Sequence, residues 1–218
     1  MQRKATSCAK AVEMIPDGAI LMIGGFMGVG SPHRTIDELI RQGKKDLTII
    51  CNDTGRPAFG IGKLIVAKLA KKVIASHIGT NPETQRQLIS GELEVVLTPQ
   101  GTLIEQIRSG GYGLGGVLTS TGVGTTVALG KQVIDINGKQ FLLELPLRAE
   151  FALIAAHRAD YRGNLEYALT ARNFNSIMAM SADHVIVEPE HIVPVGVIPP
   201  DAVVTPFCCV DYIIERCN

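Results

Sequence analysis

The chain of 218 residues predicts an α/β fold: a single open, mainly parallel sheet with helices on both faces and a small antiparallel embellishment around 115–145. Three observations carry that expectation. Apolar runs of strand length alternate with segments of helical rhythm through the first half of the chain. The connections between them are short, as right-handed crossover units require. The runs are apolar almost throughout, the pattern of strands covered on both faces. No internal repeat, low-complexity linker or compositional boundary divides the sequence, so residues 1–218 are expected to form one domain.

Thr6 or Ser7 can cap a first helix that carries Ala11, Val12 and Ile15 and stops before Pro16-Asp17-Gly18. Residues 19–23 (AILMI) then read as a buried strand. A glycine loop follows from Gly24 to Pro32, and next a helix with Ile36, Leu39 and Ile40 on one face, closed by Gly43. Residues 46–52 are a second strand. Leu and Ile alternate with Lys over 61–72 in helical rhythm, and 73–76 is a third strand. A helix over 82–89, a strand over 93–98 and a helix over 101–109 continue the alternation. From Gly110 to Gly130 the chain is rich in glycine and threonine. The segment after it predicts a hairpin with Asn137-Gly138 at a type I′ turn. FALIAA, HVIVE and VDYIIE are strand-like, and 173–180 is helical.

Lys+Arg and Asp+Glu both number 21, hydrophobic residues are 46% and charged residues 19%. That balance argues against disorder, and the lack of a basic excess against a nucleic-acid partner. The longest apolar run near the start, Ala19 to Ile23, is far short of the ~20 residues of a membrane span, so no membrane partner is expected. The first fifteen residues lack a continuous apolar stretch, so no secretory signal is expected either. Cys8, Cys51, Cys208, Cys209 and Cys217 are odd in number and form no C-x-x-C, which suits reduced thiols in a cytoplasmic protein. A mean hydropathy of +0.22 fits either a well-buried parallel sheet or a face covered by another subunit.

The first glycine loop is the most informative motif. It lies between a buried strand and a helix, at the edge where open α/β sheets bind ligands. Its spacing is neither G-x-G-x-x-G nor a Gly-Lys-Ser/Thr phosphate loop. A literal G-x-G-x-x-G at Gly111, Gly113 and Gly116 follows a helix rather than a strand, and reads as a mobile loop. His33, His77, His157, His184 and His191 show no metal-ligand spacing, so no metal is expected. Polar residues gather where strands end: Asn52-Asp53-Thr54-Gly55, Ser76-His77, and Thr98-Pro99-Gln100. Amides such as Asn52 and Gln100 both donate and accept without adding charge. Ordinary turn chemistry is the alternative for Asn, Asp and Thr, but Gln100 is neither a favoured cap nor a turn former.

These residues carry a resemblance. The stretch Asp17 to Pro32, with GGF-x-x-x-G-x-P, resembles family I CoA transferases, in particular the α (A) subunit of the short-chain 3-oxoacid and acetate type. NDTG, the run from ASHIGTNPETQ to GGYGLGG, TSTGVGT, RAEFALI, GNLEY and ARNFN are similar to segments of the same subunit. The resemblance implies a ping-pong transfer of CoA between a short-chain acyl-CoA and a short-chain carboxylate, through a glutamyl-CoA thioester. It implies that the glutamate sits on a partner β subunit in a hetero-oligomer, expected as α2β2. No Glu-Asn-Gly occurs here, and Glu105, Glu144, Glu150 and Glu166 read as structural. CoA would be a substrate, and no cofactor is implied.

The roles implied for this chain are supporting ones. Gln100 resembles the amide near the reactive glutamate or acyl group, and Asn52 an amide on the substrate side. Gly24, Gly25, Phe26, Gly28 and Gly30 would wall the carboxylate pocket, and the loop 111–125 would cover the acyl group. Phe207 stands where relatives often have glycine, which implies a different local turn. Two alternatives remain at this point: an α/β enzyme of the sugar-phosphate isomerase kind, and a non-catalytic ligand sensor.

Overall fold

A computed structural model describes residues 4–215. The chain runs β1 (Ala5–Thr6), α1 (Cys8–Glu13), β2 (Ile20–Ile23), α2 (His33–Gln42), β3 (Leu47–Ile50), α3 (Gly62–Val66), β4 (Ala70–Ala75), α4 (Pro82–Ser90), β5 (Glu94–Leu97) and α5 (Gln100–Gly111). It continues through β6 (Val117–Thr119), β7 (Val133–Ile136), β8 (Lys139–Glu144), β9 (Ala149–Asp160), β10 (Leu165–Glu166), α6 (Asn175–Met178), β11 (Ala182–Val193) and β12 (Tyr212–Ile214).

A nine-stranded sheet has the order β1-β12-β11-β9-β2-β3-β4-β5, with β10 added antiparallel on β9. Every pairing along the main path is parallel. From β2 the chain steps outward to β5 on one side, and later strands fill the other. The order therefore reverses between β2 and β9, and the glycine loop leaves β2 at that crevice. The small antiparallel sheet, β6-β8-β7, occupies the expected region. Asn137 (φ 54°) and Gly138 (φ 78°) give its hairpin the type I′ turn.

Successive side chains of each strand point to opposite faces, so one short strand serves two cores. Leu21 and Ile23 of β2 pack with Val12, Ile36, Leu39 and Leu64 from α1, α2 and α3. Met22, between them, joins Leu103 and Ile107 of α5 and Met178 of α6 on the other face. Burying each such side chain is worth roughly 1.5–3 kcal/mol. The helices thus cover both faces, as the continuous apolar strands predict.

Two local expectations change. The helix expected over 61–72 is only α3, because Lys68 turns the backbone left-handed (φ 55°) and Ala70–Ala75 extends to pair with β3. The lysine-rich stretch is the start of a strand, with Ala70 and Val73 buried and Lys71 exposed. The helix expected over 173–180 shrinks to α6, after a 3₁₀ turn at Leu169–Arg172. Asn173 and Asn175 spend their side chains on neighbouring backbone, an alternative to continuing a helix. The loop 111–125 follows α5, whose twelve residues span about 18 Å.

Ser7 caps α1 by accepting from Lys10 N (3.3 Å), while Thr6 belongs to β1. α2 has no side-chain cap of its own. Glu188 of β11 supplies one, accepting from Arg34 N (3.1 Å) and Thr35 N (2.8 Å).

Cys8, Cys51, Cys208 and Cys209 are free thiols, and Cys217 lies outside the described residues. Burial pushes the Cys51 thiol well above its usual range, and those of Cys8 and Cys209 up to about 11. All three are therefore protonated at neutral pH, and the thiolate is the reactive form. Iodoacetamide at pH 7.5 should leave Cys51 unlabelled in the native protein and label it after denaturation. Rapid native labelling of Cys51, read by peptide mass spectrometry, would contradict this burial.

Candidate active site

Gly24 N donates to Leu153 O (3.0 Å), which carries β2 one residue further along β9. The chain then folds tightly, with Phe26 and Val29 exchanging backbone hydrogen bonds of 2.9 Å. Two asparagines clamp this loop. Asn173 Oδ1 accepts from Gly25 N (3.1 Å), and its Nδ2 donates to Val29 O (3.0 Å). Asn175 Nδ2 donates to Gly30 O (2.9 Å), and its Oδ1 accepts from Ala155 N (3.0 Å). Two glycines make the clamp possible. A Cβ on Gly24 would lie 1.8 Å from Asn175 Oδ1, and one on Gly30 (φ +75°) would lie 2.5 Å from Ala171 O.

The loop after β3 is held by Asp53, which is 3% exposed. Its Oδ2 accepts from Met27 N and from Asn52 Nδ2, both at 2.9 Å. Its Oδ1 accepts from Gly55 N (2.8 Å). One carboxylate therefore ties the loop after β2 to the loop after β3. It also orients the Asn52 amide, because only Nδ2 can donate to it. Asn52 Oδ1 then faces away and accepts from Gln100 Nε2 (2.7 Å) and Ser76 Oγ (3.3 Å). Asn52, 1% exposed, and Gln100, exposed at the first turn of α5, are thus in direct contact across 48 residues of sequence. Gln100 Nε2 has two hydrogens. One is committed to Asn52, and the other remains available to a ligand.

Asn52 and Gln100 open into a cleft of about 430 Å³, walled by Phe26, Ile104, Phe174 and Ile177, with Arg108 and Arg172 also lining it. Phe26 is 41% exposed and is the glycine loop's contribution to this cleft. Gly28 and Gly30 line a neighbouring concavity of about 720 Å³ with Phe59, Arg34 and Glu188, and Gly24 and Gly25 line neither. The loop glycines serve close packing: the space beside Gly25 is taken by Ser31 and that beside Gly28 by the Phe59 ring.

None of the four glutamates noted in the sequence lines the cleft, and each has a partner. Glu105 pairs with Arg108, Glu144 with Lys131, Glu150 accepts from Ile20 N, and Glu166 pairs with Arg158. Phe207 sits in a 3₁₀ turn (Phe207–Cys209), outside the left-handed region, with the Arg162 guanidinium 4.3 Å over its ring. His157, Glu190 and His191 bring potential metal-ligand atoms within 4.8 Å of one another, a grouping their spacing does not reveal. His157 Nδ1 lies 2.7 Å from Glu190 Oε2. Sequence reasoning missed Asp53 as an organiser and Asn173 and Asn175 as clamps. NDTG and ARNFN held them, but nothing local in those strings says which backbone they meet.

The chain matches the coenzyme A transferase family over residues 5–216, and it belongs to that family. It is 56% identical to the acetate CoA-transferase subunit alpha of Escherichia coli K12, covering 98% of this chain and 97% of that protein. It is 51% identical to the acetoacetyl-CoA:acetate/butyrate CoA transferase alpha subunit of Clostridium acetobutylicum, covering 92% of each. In fold it resembles an acyl-CoA transferase from Escherichia coli O157:H7, solved as a thioester complex with CoA (TM-score 0.87, 21% identity). The match covers 99% of this chain and 47% of that one, so this chain spans about half its length. Glutaconate coenzyme A-transferase from Acidaminococcus fermentans is also similar (TM-score 0.82, 20% identity, 98% of this chain and 75% of that one). Among the described residues no helix is long and apolar enough to cross a membrane.

Removing the Asp53 carboxylate leaves buried donors without acceptors. Asp53→Ala should lower the unfolding free energy by about 3 kcal/mol in urea titration. A loss below about 1 kcal/mol would show that the two loops hold together without it.

Proposed function

We propose that this chain is the α subunit of a heteromeric CoA transferase, a transferase of sulfur-containing groups that works only with a β subunit. The observation that carries the reading is the end-to-end match to the alpha subunits of an acetate CoA-transferase and an acetoacetyl-CoA:acetate/butyrate CoA transferase, at 56% and 51% identity. Its substrates are a short-chain acyl-CoA, such as acetyl-CoA or acetoacetyl-CoA, and a short-chain carboxylate. The assembly is taken as α2β2, CoA is a substrate rather than a cofactor, and the free thiols suit a cytoplasmic location.

In this reading the partner's glutamate attacks the thioester carbonyl and expels CoA thiolate, leaving an acyl-glutamyl anhydride. The thiolate then attacks the glutamyl carbonyl and releases the first acid, leaving glutamyl-CoA thioester. The incoming acid repeats the two steps in reverse. This chain supplies the setting. The uncommitted Nε2 hydrogen of Gln100 donates to the oxygen on which negative charge develops, and Asn52 fixes the amide's orientation. Phe26, Phe174 and Ile177 narrow the water's access to the cleft, which protects the anhydride and thioester from hydrolysis.

Co-expression with candidate β subunits, assayed with acetate, acetoacetate and butyrate, tests the reading. Transfer should appear only in the assembled complex, and borohydride or hydroxylamine should trap the enzyme at a glutamate of the partner. Trapping at a residue of this chain would overturn the division of roles. Gln100→Ala should reduce kcat by ~10²-fold, the scale of losing one oxyanion donor. Wild-type turnover in that variant would remove Gln100 from the mechanism.

A further inference from the structure

The structure assigns to Arg172 the role of anion anchor in this cleft. Its guanidinium holds a carboxylate or phosphate oxygen of the substrate while Gln100 attends the reacting carbonyl. The inference rests on the CoA-transfer reading above, and it adds a specificity-determining residue to it.

The charge of the cleft is the first support. The chain as a whole balances 21 basic against 21 acidic residues. The cleft does not: Arg108 and Arg172 line it, and its described lining residues include no carboxylate. The two arginines are also unequal. Arg108 Nε lies 3.0 Å from Glu105 Oε2, which offsets its charge. The Arg172 side chain makes no hydrogen bond or ion pair with the described residues, and it is exposed. Its five donors are available in the planar fork that matches carboxylate and phosphate oxygens.

The base of the side chain is fixed, which is the second support. Arg172 ends the 3₁₀ turn Leu169–Arg172. The residue before it, Ala171, accepts from Asn175 Nδ2 (2.8 Å), and the residue after it, Asn173, accepts from Gly25 N (3.1 Å). The same asparagines that clamp the glycine loop therefore hold the Arg172 backbone against it. Only the side chain must be ordered when an anion arrives, which limits the entropic cost of using it. Lysine would give a point charge without the two-pronged geometry.

Two anions could be the one held: the carboxylate of the acid, or a phosphate of the CoA thioester. Arg172→Gln and Arg172→Lys, assembled with the β subunit, distinguish them. Arg172→Gln should raise one KM by ~10–100-fold, the range of a lost charge-assisted hydrogen bond, with kcat changed less than about threefold. Arg172→Lys should recover part of the loss. A rise confined to the acid assigns the carboxylate. A rise for the CoA thioester that is absent with its 3′-dephospho analogue assigns that phosphate. If both KM values stay within about twofold of wild type, the inference is wrong. It is also wrong if Arg172→Gln only weakens assembly on size-exclusion chromatography, since the guanidinium would then pair with the partner. Should the wild-type complex transfer no CoA, the CoA-transfer reading fails by itself. Calorimetric titration of CoA and of butyrate into both complexes then tests the anchor, and equal affinities overturn it.

Discussion

Everything at the carboxyl edge of the sheet depends on one buried carboxylate. Asp53 accepts from Met27 N, Gly55 N and Asn52 Nδ2, so it fixes two loops and one side-chain amide at once. The consequences run outward. With its Nδ2 committed, Asn52 must present its oxygen to Gln100, and Gln100 must present nitrogen in return. Ser76 adds a second donor to the same Asn52 oxygen. The orientation of the exposed amide is thus decided two residues deeper, at a buried carboxylate that is not part of the cleft lining. Amides held this way need little rearrangement when charge develops beside them.

The sheet explains why these residues meet. Its order reverses between β2 and β9, so the loop after β2 has no following crossover on one side and opens into a crevice. Asn173, just before α6, and Asn175, its first residue, hold the glycine loop at that crevice. The cleft beside them has amides, guanidinium groups and apolar walls. Such a lining can bind, orient and stabilise charge, and in the proposed function a nucleophile from the partner chain completes it. The mean hydropathy of +0.22 has an evident source in the two-sided core, where strands such as Leu21-Met22-Ile23 are buried on both faces.

Much of the fold was legible because its signals are local. The apolar strands over 19–23 and 46–52, the helix closed by Gly43 and the Asn137-Gly138 hairpin each follow from a few adjacent residues. The failures have an equally definite cause. Lys68 turns left-handed and Ala70–Ala75 becomes a strand because β3 offers a partner, which a helical rhythm of lysines does not disclose. Of the site, Asn52 and Gln100 could be chosen from their places at strand ends, but their contact spans 48 residues. Gly24 and Gly30 stood out by composition, whereas their purpose depends on Asn175 and Ala171, 151 and 141 residues away in sequence and adjacent only once the sheet is assembled. Arg172 was invisible for the same reason. An arginine in a polar segment announces nothing until the cleft around it is formed.

The central claim is that Asn52 and Gln100 act as one unit, with Asn52 working through Gln100. A double-mutant cycle on the assembled enzyme tests this most directly. Rates of CoA transfer would be measured for Asn52→Ala, Gln100→Ala and the double variant, with folding checked by circular dichroism. The amide relay predicts strong non-additivity, the double variant being little slower than Gln100→Ala alone. Fully additive losses in activation free energy would mean that the two amides serve the reaction independently, and would contradict the account.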